Sequence, residues 1–130
     1  MAEHSTVEMG RRAYEAFAKG DLDTVLSMQT DDVVWHLSGT GVLDGDYHGR
    51  DGVKSVLGKL MQETEGNFRL EVHDLLGNDE HGAALVRTHA TRRGKTLASD
   101  VVHVTHVRDG LTAEFWAAPM DPVASIEFWS

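Results

Sequence analysis

Between Gly82 and Ala118 the chain spells three consecutive β-strands, with Arg93-Gly94 and Asp109-Gly110 where two-residue hairpin turns belong. Such turns fix which side chains meet. If Arg92 pairs with Lys95, then Arg87 faces Asp100 and Leu85 faces Val102. If Arg108 pairs with Leu111, then Val104 faces Phe115, Val102 faces Ala117 and His103 faces Trp116. One face of the meander then carries Ala83, Leu85, Arg87, His89, Asp100, Val102, Val104, His106, Phe115 and Ala117. The other carries Ala84, Val86, Thr88, Val101, His103, Thr105, Glu114 and Trp116. A slip of one residue would exchange the two sets.

The rest of the chain supplies helices ahead of this meander. Ser5-Thr6-Val7-Glu8 has capping-box spacing, and Met9, Ala13, Tyr14 and Phe17 keep one helical face apolar until Gly20. Asp21 caps a short second helix with Leu22, Val25 and Leu26 inward. Val33, Trp35 and Leu37 then alternate with Val34, His36 and Ser38 as a strand does. Residues 39–49 are rich in glycine and aspartate and read as a loop. The next helix has Val53, Val56, Leu57, Leu60 and Met61 at helical spacing, and Gly66 stops it. Phe68, Leu70 and Val72 alternate as a further strand, and Gly77-Asn78-Asp79 turns into the meander. Asp121-Pro122 opens a last short helix that ends in Phe128-Trp129. Helices grouped before a run of antiparallel strands define an α+β architecture: a curved sheet wrapped around the helices, leaving a cone with a pocket inside.

Composition limits the function. The 130 residues make one domain, 1–130, large enough for a core without staples. There is no cysteine, which excludes disulfides, thiolate metal sites and cysteine nucleophiles. Twenty-one acidic against 12 basic residues give a net charge of −9, which argues against a nucleic-acid partner. No segment approaches the roughly 18 continuous apolar residues of a membrane span, and no signal-like start is present, so a soluble cytoplasmic protein is expected.

Several short motifs occur in one order: Lys19-Gly20-Asp21-Leu22-Asp23, Asp31-Asp32-Val33-Val34-Trp35, residues 45–52 (Gly-Asp-Tyr-His-Gly-Arg-Asp-Gly), and Val107-Arg108-Asp109-Gly110 followed by Glu114-Phe115-Trp116. Together they resemble the SnoaL-like branch of the nuclear transport factor 2-like superfamily, which includes polyketide cyclases, ketosteroid isomerases and limonene epoxide hydrolases. The resemblance covers nearly the whole chain. It implies a cone-shaped, cystatin-like α+β barrel with a pocket between helices and sheet, often dimeric through the outer sheet face, and no single activity. The chain departs from the ketosteroid isomerases. Their general-base aspartate falls on Leu37, their oxyanion-hole aspartic acid on Val102, and their helix-one tyrosine near Ala13, one place before Tyr14. The same comparison turns Trp35, Leu37, Leu85, Arg87, His89, Asp100, Val102 and Val104 into the cone.

On that assignment Arg87, His89 and Asp100 form the candidate catalytic constellation. His89 or Asp100 would take a proton, and Arg87 would stabilise charge developing on an oxygen. The alternative is a plain cross-strand ion pair between Arg87 and Asp100. The expected pocket lining is Tyr14, Phe17, Trp35, Leu37, Leu57, Met61, Leu85, Val102, Val104 and Phe115, with the Tyr14 hydroxyl free to meet a ligand carbonyl or a backbone group. His81 and His106 pair across strands, but two histidines lack the third and fourth ligands that zinc requires, so no metal and no cofactor are expected. The loop around Tyr47 lacks the ending of a phosphate cradle.

His103, Thr105, Glu114 and Trp116 form an outer group suited to a homodimer interface, unless Phe128-Trp129 folds over that face. These features describe a protein that takes a small apolar, oxygen-bearing ligand, with isomerase, cyclase or hydrolase chemistry open. A non-catalytic homodimeric binding or association domain is the rival.

Overall fold

The computed structural model describes residues 3–130. Helices α1 (Ser5–Ala18) and α2 (Leu22–Ser27) lead into β1 (Gln29–Leu37), β2 (Gly45–His48) and α3 (Gly49–Glu63). The long strands β3 (Arg69–Gly77), β4 (His81–Arg92), β5 (Lys95–Arg108) and β6 (Leu111–Pro119) follow, and α4 (Pro122–Trp129) ends the fold. The six strands form one curved sheet in the order β2-β1-β6-β5-β4-β3. It stays open, with β2 and β3 as its edges, so the cone is not a closed barrel. All neighbours are antiparallel except β1 and β6, which run parallel.

Local chemistry sets most boundaries. Asp21 accepts a hydrogen bond from the Thr24 amide at 3.2 Å, and Asp121 does the same for Ala124 at 3.1 Å, so both capping aspartates act where their spacing places them. The first helix differs. It starts at Ser5, and the His4 ring nitrogen, not Ser5, accepts the Thr6 amide at 3.1 Å. Residues 45–48, read from sequence as loop, pair with β1 as the short edge strand β2. Its glycine-rich surroundings hide a pairing that is supplied by β1, not by local propensity.

Arg93 and Gly94 have φ of 51° and 77°, and Asp109 and Gly110 have 53° and 75°, the left-handed pairs that a type I′ hairpin requires. The first hairpin has the expected register, including Arg87 opposite Asp100 and Leu85 opposite Val102. The second does not. Arg108 pairs with Leu111 and Val107 with Thr112, but Ala113 is an extra residue, and beyond it Thr105 faces Phe115, Val104 faces Trp116 and His103 faces Ala117.

Helix α1 lies against β3 and β4, and α3 lies against β1 and β2. One core cluster joins fully buried Val33 and Val53 to Leu57, with Phe17 and Trp35 packed on it. A second joins Leu43, Val56, Ala90 and Leu97 to Phe128 and Trp129. Each buried valine, leucine and phenylalanine among them contributes about 1.5–3 kcal/mol by leaving water. Phe128 and Trp129 therefore seal one end of the cone and do not cover the outer sheet face. Arg92 holds that seal from β4, donating to Glu63 at 3.0 and 3.1 Å and to the Ser130 carbonyl at 2.9 Å.

Candidate functional site

The concave side of the sheet and the helices enclose a cavity of about 200 Å³. Tyr14 and Phe17 of α1, Trp35 and Leu37 of β1, Leu57 of α3, and Phe115 of β6 line it. The wall from β4 and β5 is the opposite face from the expected one. Ala84, Thr88, Ser99, Val101, His103 and Thr105 line the cavity, whereas Leu85, Val102 and Val104 lie on the convex side. Met61 borders a neighbouring groove instead.

The reason is electrostatic. The hairpin register leaves one face bearing Arg87 and Asp100 and another whose middle carries no formal charge, and turning the charged face inward would desolvate both groups. Arg87 does donate to Asp100, at 3.0 Å, but the two side chains are 44% and 57% exposed. His89 lies on the same outer face, its Nε2 3.6 Å from Glu71. The constellation Arg87, His89 and Asp100 is thus assembled as a strand neighbourhood outside the cavity, with no access to a ligand held there.

Among the described residues only two ionisable side chains line the cavity, and they are bonded to each other. Tyr14 Oη and His103 Nδ1 are 2.6 Å apart, with the rings stacked at 11° and their centroids 5.8 Å apart. Helix α1 presents Tyr14 one turn before Phe17, and β5 presents His103 from the buried side of the sheet. Burial pushes the His103 imidazole down to about 4, so it is neutral at neutral pH. Burial also pushes the Tyr14 phenol up, so it stays protonated. Among the described residues the Nδ1 contact with Tyr14 is the side-chain hydrogen bond of His103, whereas the buried ring nitrogen left without a hydrogen-bond partner is His89 Nε2, on the other face of the sheet.

The dyad continues into an aromatic wall. His103 lies 4.8 Å from Phe115, and Phe115 stacks on Trp35 at 4.2 Å between centroids. Trp35 Nε1 donates to Gln29 Oε1 at 2.9 Å, which satisfies the indole and fixes its plane. His103 and Thr105 were placed by sequence on the outer face with Glu114 and Trp116. Only the latter two are there. The Ala113 bulge explains the division, because it puts Phe115 on the His103 face and Trp116 on the other. The signal that could have found His103 was the uncharged alternation Ala84, Val86, Thr88 and Ala90 facing Leu97, Val101 and His103.

On the convex face His36 stands between Asp46 at 2.7 Å and Glu114 at 2.8 Å and stacks on Trp116, ring centroids 5.2 Å apart. Partial burial opposes its charge, but the two carboxylate hydrogen bonds prevail and hold its pKa above the ordinary value. His81 and His106 stack at 5.6 Å on this side. Among the described residues no group of three or more potential metal ligands comes together, and no helix is long and apolar enough to cross a membrane.

An open curved sheet closed over one apolar cavity by α1, α3 and α4 is the cone of the nuclear transport factor 2-like class. Within it the chain belongs to the SnoaL-like domain family, whose model matches residues 10–115. An uncharacterised protein of Mycobacterium tuberculosis is 31% identical over 134 residues, covering 100% of both chains. The structure of Bal32a, from a soil-derived mobile gene cassette, is 28% identical, covers 97% of each chain and superposes with a TM-score of 0.92. TerC, co-crystallised with polyporic acid, is 25% identical, covers 97% of this chain and 98% of its own, and superposes with a TM-score of 0.85.

Proposed function

We propose that the cone binds one small apolar molecule bearing an oxygen function, and that Tyr14 and His103 act together on that oxygen. The observation that carries this reading is the 2.6 Å contact between the two ionisable groups that line a largely apolar cavity among the described residues. The cavity, about 200 Å³, exceeds the roughly 150 Å³ that accommodates benzene in an apolar protein site, so a body of one or two rings fits. TerC, the relative co-crystallised with polyporic acid, supports a ligand in this cone.

The chemistry follows from the two protonation states. With Nδ1–H donating to the phenol oxygen, the Tyr14 proton is aimed at a ligand carbonyl and Nε2 is a base. With the Tyr14 hydroxyl donating to Nδ1, Nε2–H becomes the donor. A base of pKa about 4 removes weakly acidic protons poorly, but its conjugate acid returns a proton readily. The dyad therefore suits a substrate that is already enolised or readily enolised, as in a cyclisation, better than an unactivated ketone. Carboxylate-based steroid isomerisation is disfavoured on this reading, since Leu37 lines the cavity and no carboxylate does among the described residues.

Titration with 2-hydroxy-1,4-naphthoquinone, a two-ring enol that quenches tryptophan fluorescence, read through Trp35 on the cavity wall, tests the reading. Tyr14→Phe should weaken binding about tenfold, the loss of one hydrogen bond to a buried oxygen. Equal affinity in wild type and Tyr14→Phe would refute a role for the dyad. A second reading concerns the convex face, where Trp116 and Val104 are each 37% exposed beside the His36 cluster. That apolar strip favours a homodimer through the sheet.

A further inference from the structure

We propose that the ligand of this cone carries a second oxygen, at the far end from the one that meets Tyr14 and His103, and that Ser125 of α4 and Ser99 of β5 receive it. The inference rests on the cavity reading above and adds the length and second polar group of the ligand to it. Both serines line the cavity. Ser125 is only 4% exposed, and among the described residues its hydroxyl makes no hydrogen bond. The polar contacts of α4 run instead through Asp121, Glu127, Phe128 and Ser130. Among the described residues the buried side-chain atom that is both unpaired and sealed from open space is His89 Nε2, so the unpaired Ser125 oxygen opens onto the cavity.

Other hydroxyls of similar burial are paired: Thr6 donates to the Asn78 carbonyl at 2.8 Å, and Thr88 to the Ser99 carbonyl at 3.1 Å. Thr105 and Thr112, also on the wall, can turn a methyl group to the apolar space, whereas a serine has only its hydroxyl to present. The two serines belong to one end of the cone. Pro119, just ahead of α4, pairs with Val101, and near the helix end the Glu127 carbonyl accepts from Lys95 Nζ at 2.8 Å. Helix α4 therefore lies along residues 95–101 of β5, and Ser125, between those anchors, comes level with Leu97 and Ser99. Ser99 and His103 are four residues apart on the same face of one strand, about 13 Å. No ionisable side chain lines the serine end among the described residues, so the second oxygen is neutral, a hydroxyl or a carbonyl. A long, flat aromatic molecule with an oxygen at each end matches both poles.

Two stilbenes with one body test the second pole. trans-4,4′-Dihydroxystilbene has an oxygen at each end, and trans-4-hydroxystilbene has one. Wild type should bind the diphenol about tenfold more tightly, the worth of one further hydrogen bond in a buried site. Ser125→Ala should erase that preference and move the monophenol by less than about twofold, and Ser99→Ala should act in the same direction. Without ligand, Ser125→Ala should unfold at a urea concentration no lower than wild type, since alanine removes an unpaired hydroxyl and favours a helix. A lower midpoint would show that the hydroxyl serves the fold and would overturn the inference. Equal affinity of wild type for the two stilbenes, or equal losses of both in Ser125→Ala, would overturn it too. Titration with 2-hydroxy-1,4-naphthoquinone separates the two failures. If it binds while neither stilbene does, the second pole falls and the cavity reading stands; if it also fails to bind, both fall.

Discussion

Lowering the pH should unfold this protein partly through one residue, His103. In the folded chain its pKa lies at about 4 because burial opposes the imidazolium, against 6.5 for an ordinary histidine. The unfolded chain therefore binds a proton that the folded chain refuses throughout the interval between those values. Stability from this group is fully present above about pH 6.5 and is lost as pH falls toward 4, since the state that binds more protons is favoured by acid. Two and a half units at about 1.4 kcal/mol each make the loss about 3 kcal/mol, a large share of a small domain's total. Among the described residues Tyr14 is the only other titratable group that lines the cavity with the ring, and it stays neutral over this range.

The check is a set of urea unfolding midpoints between pH 7 and 4 for wild type and His103→Phe, which keeps a ring but cannot titrate. The variant should be the less stable at pH 7, because the Tyr14 hydroxyl loses its acceptor, yet it should lose about 3 kcal/mol less on acidification. The difference between curves matters because His36 pulls the other way. Its raised folded pKa gives stability that is complete below about pH 6.5 and fades as pH rises through the folded value. Parallel curves for the two proteins, or a ring proton of His103 titrating near pH 6.5 by NMR, would refute the reasoning.

Three further outcomes follow from the same geometry. A double-mutant cycle on Arg87→Met and Asp100→Asn should give a coupling of about 0–1 kcal/mol, because both groups are solvated, with ligand binding in the cavity unchanged; coupling above about 2 kcal/mol would contradict their exposure. Arg92→Met should cost about 2–4 kcal/mol by chemical denaturation, discounted from a fully buried pair because Glu63 retains some contact with water, and Glu63→Gln should cost less. Trp116→Asp should convert a dimer to a monomer by light scattering at micromolar concentration, and a wild-type monomer would remove the convex-face interface.

How much of this was legible in the sequence depends on what decides each feature. The hairpin at Arg93-Gly94 and its full register are local matters of turn geometry, and so are the caps at Asp21 and Asp121; all were readable. Strand β2 was not, because its pairing belongs to β1. The choice of inner face is a property of the whole cone, and the assignment by resemblance sent Arg87, His89 and Asp100 inward together with Leu85, Val102 and Val104. The desolvation cost of Arg87 and Asp100 argued the other way and was available from the same residues. Arg92 shows why charge alone does not settle a face: it too points inward, but Glu63 and the chain's last carbonyls satisfy it.

The candidate site depends in the end on one inserted residue. Without the bulge at Ala113, Phe115 would share a face with Val104, and β6 would turn its aromatic ring out of the cone just where His103 enters. With it, Phe115 lies beside Thr105 on one side and beside Trp35 on the other, since the parallel pairing with β1 sets Trp35 against Phe115 and Leu37 against Ala117. Strand β6, parallel to β1 and antiparallel to β5, thus sets Phe115 between Trp35 and His103 in one wall of the cavity. The continuous wall Trp35, Phe115, His103, Tyr14 is what excludes water from the imidazole. That exclusion lowers the His103 pKa and keeps the imidazole neutral at neutral pH. A local irregularity in pairing is therefore carried through packing into the acid-base character of the site.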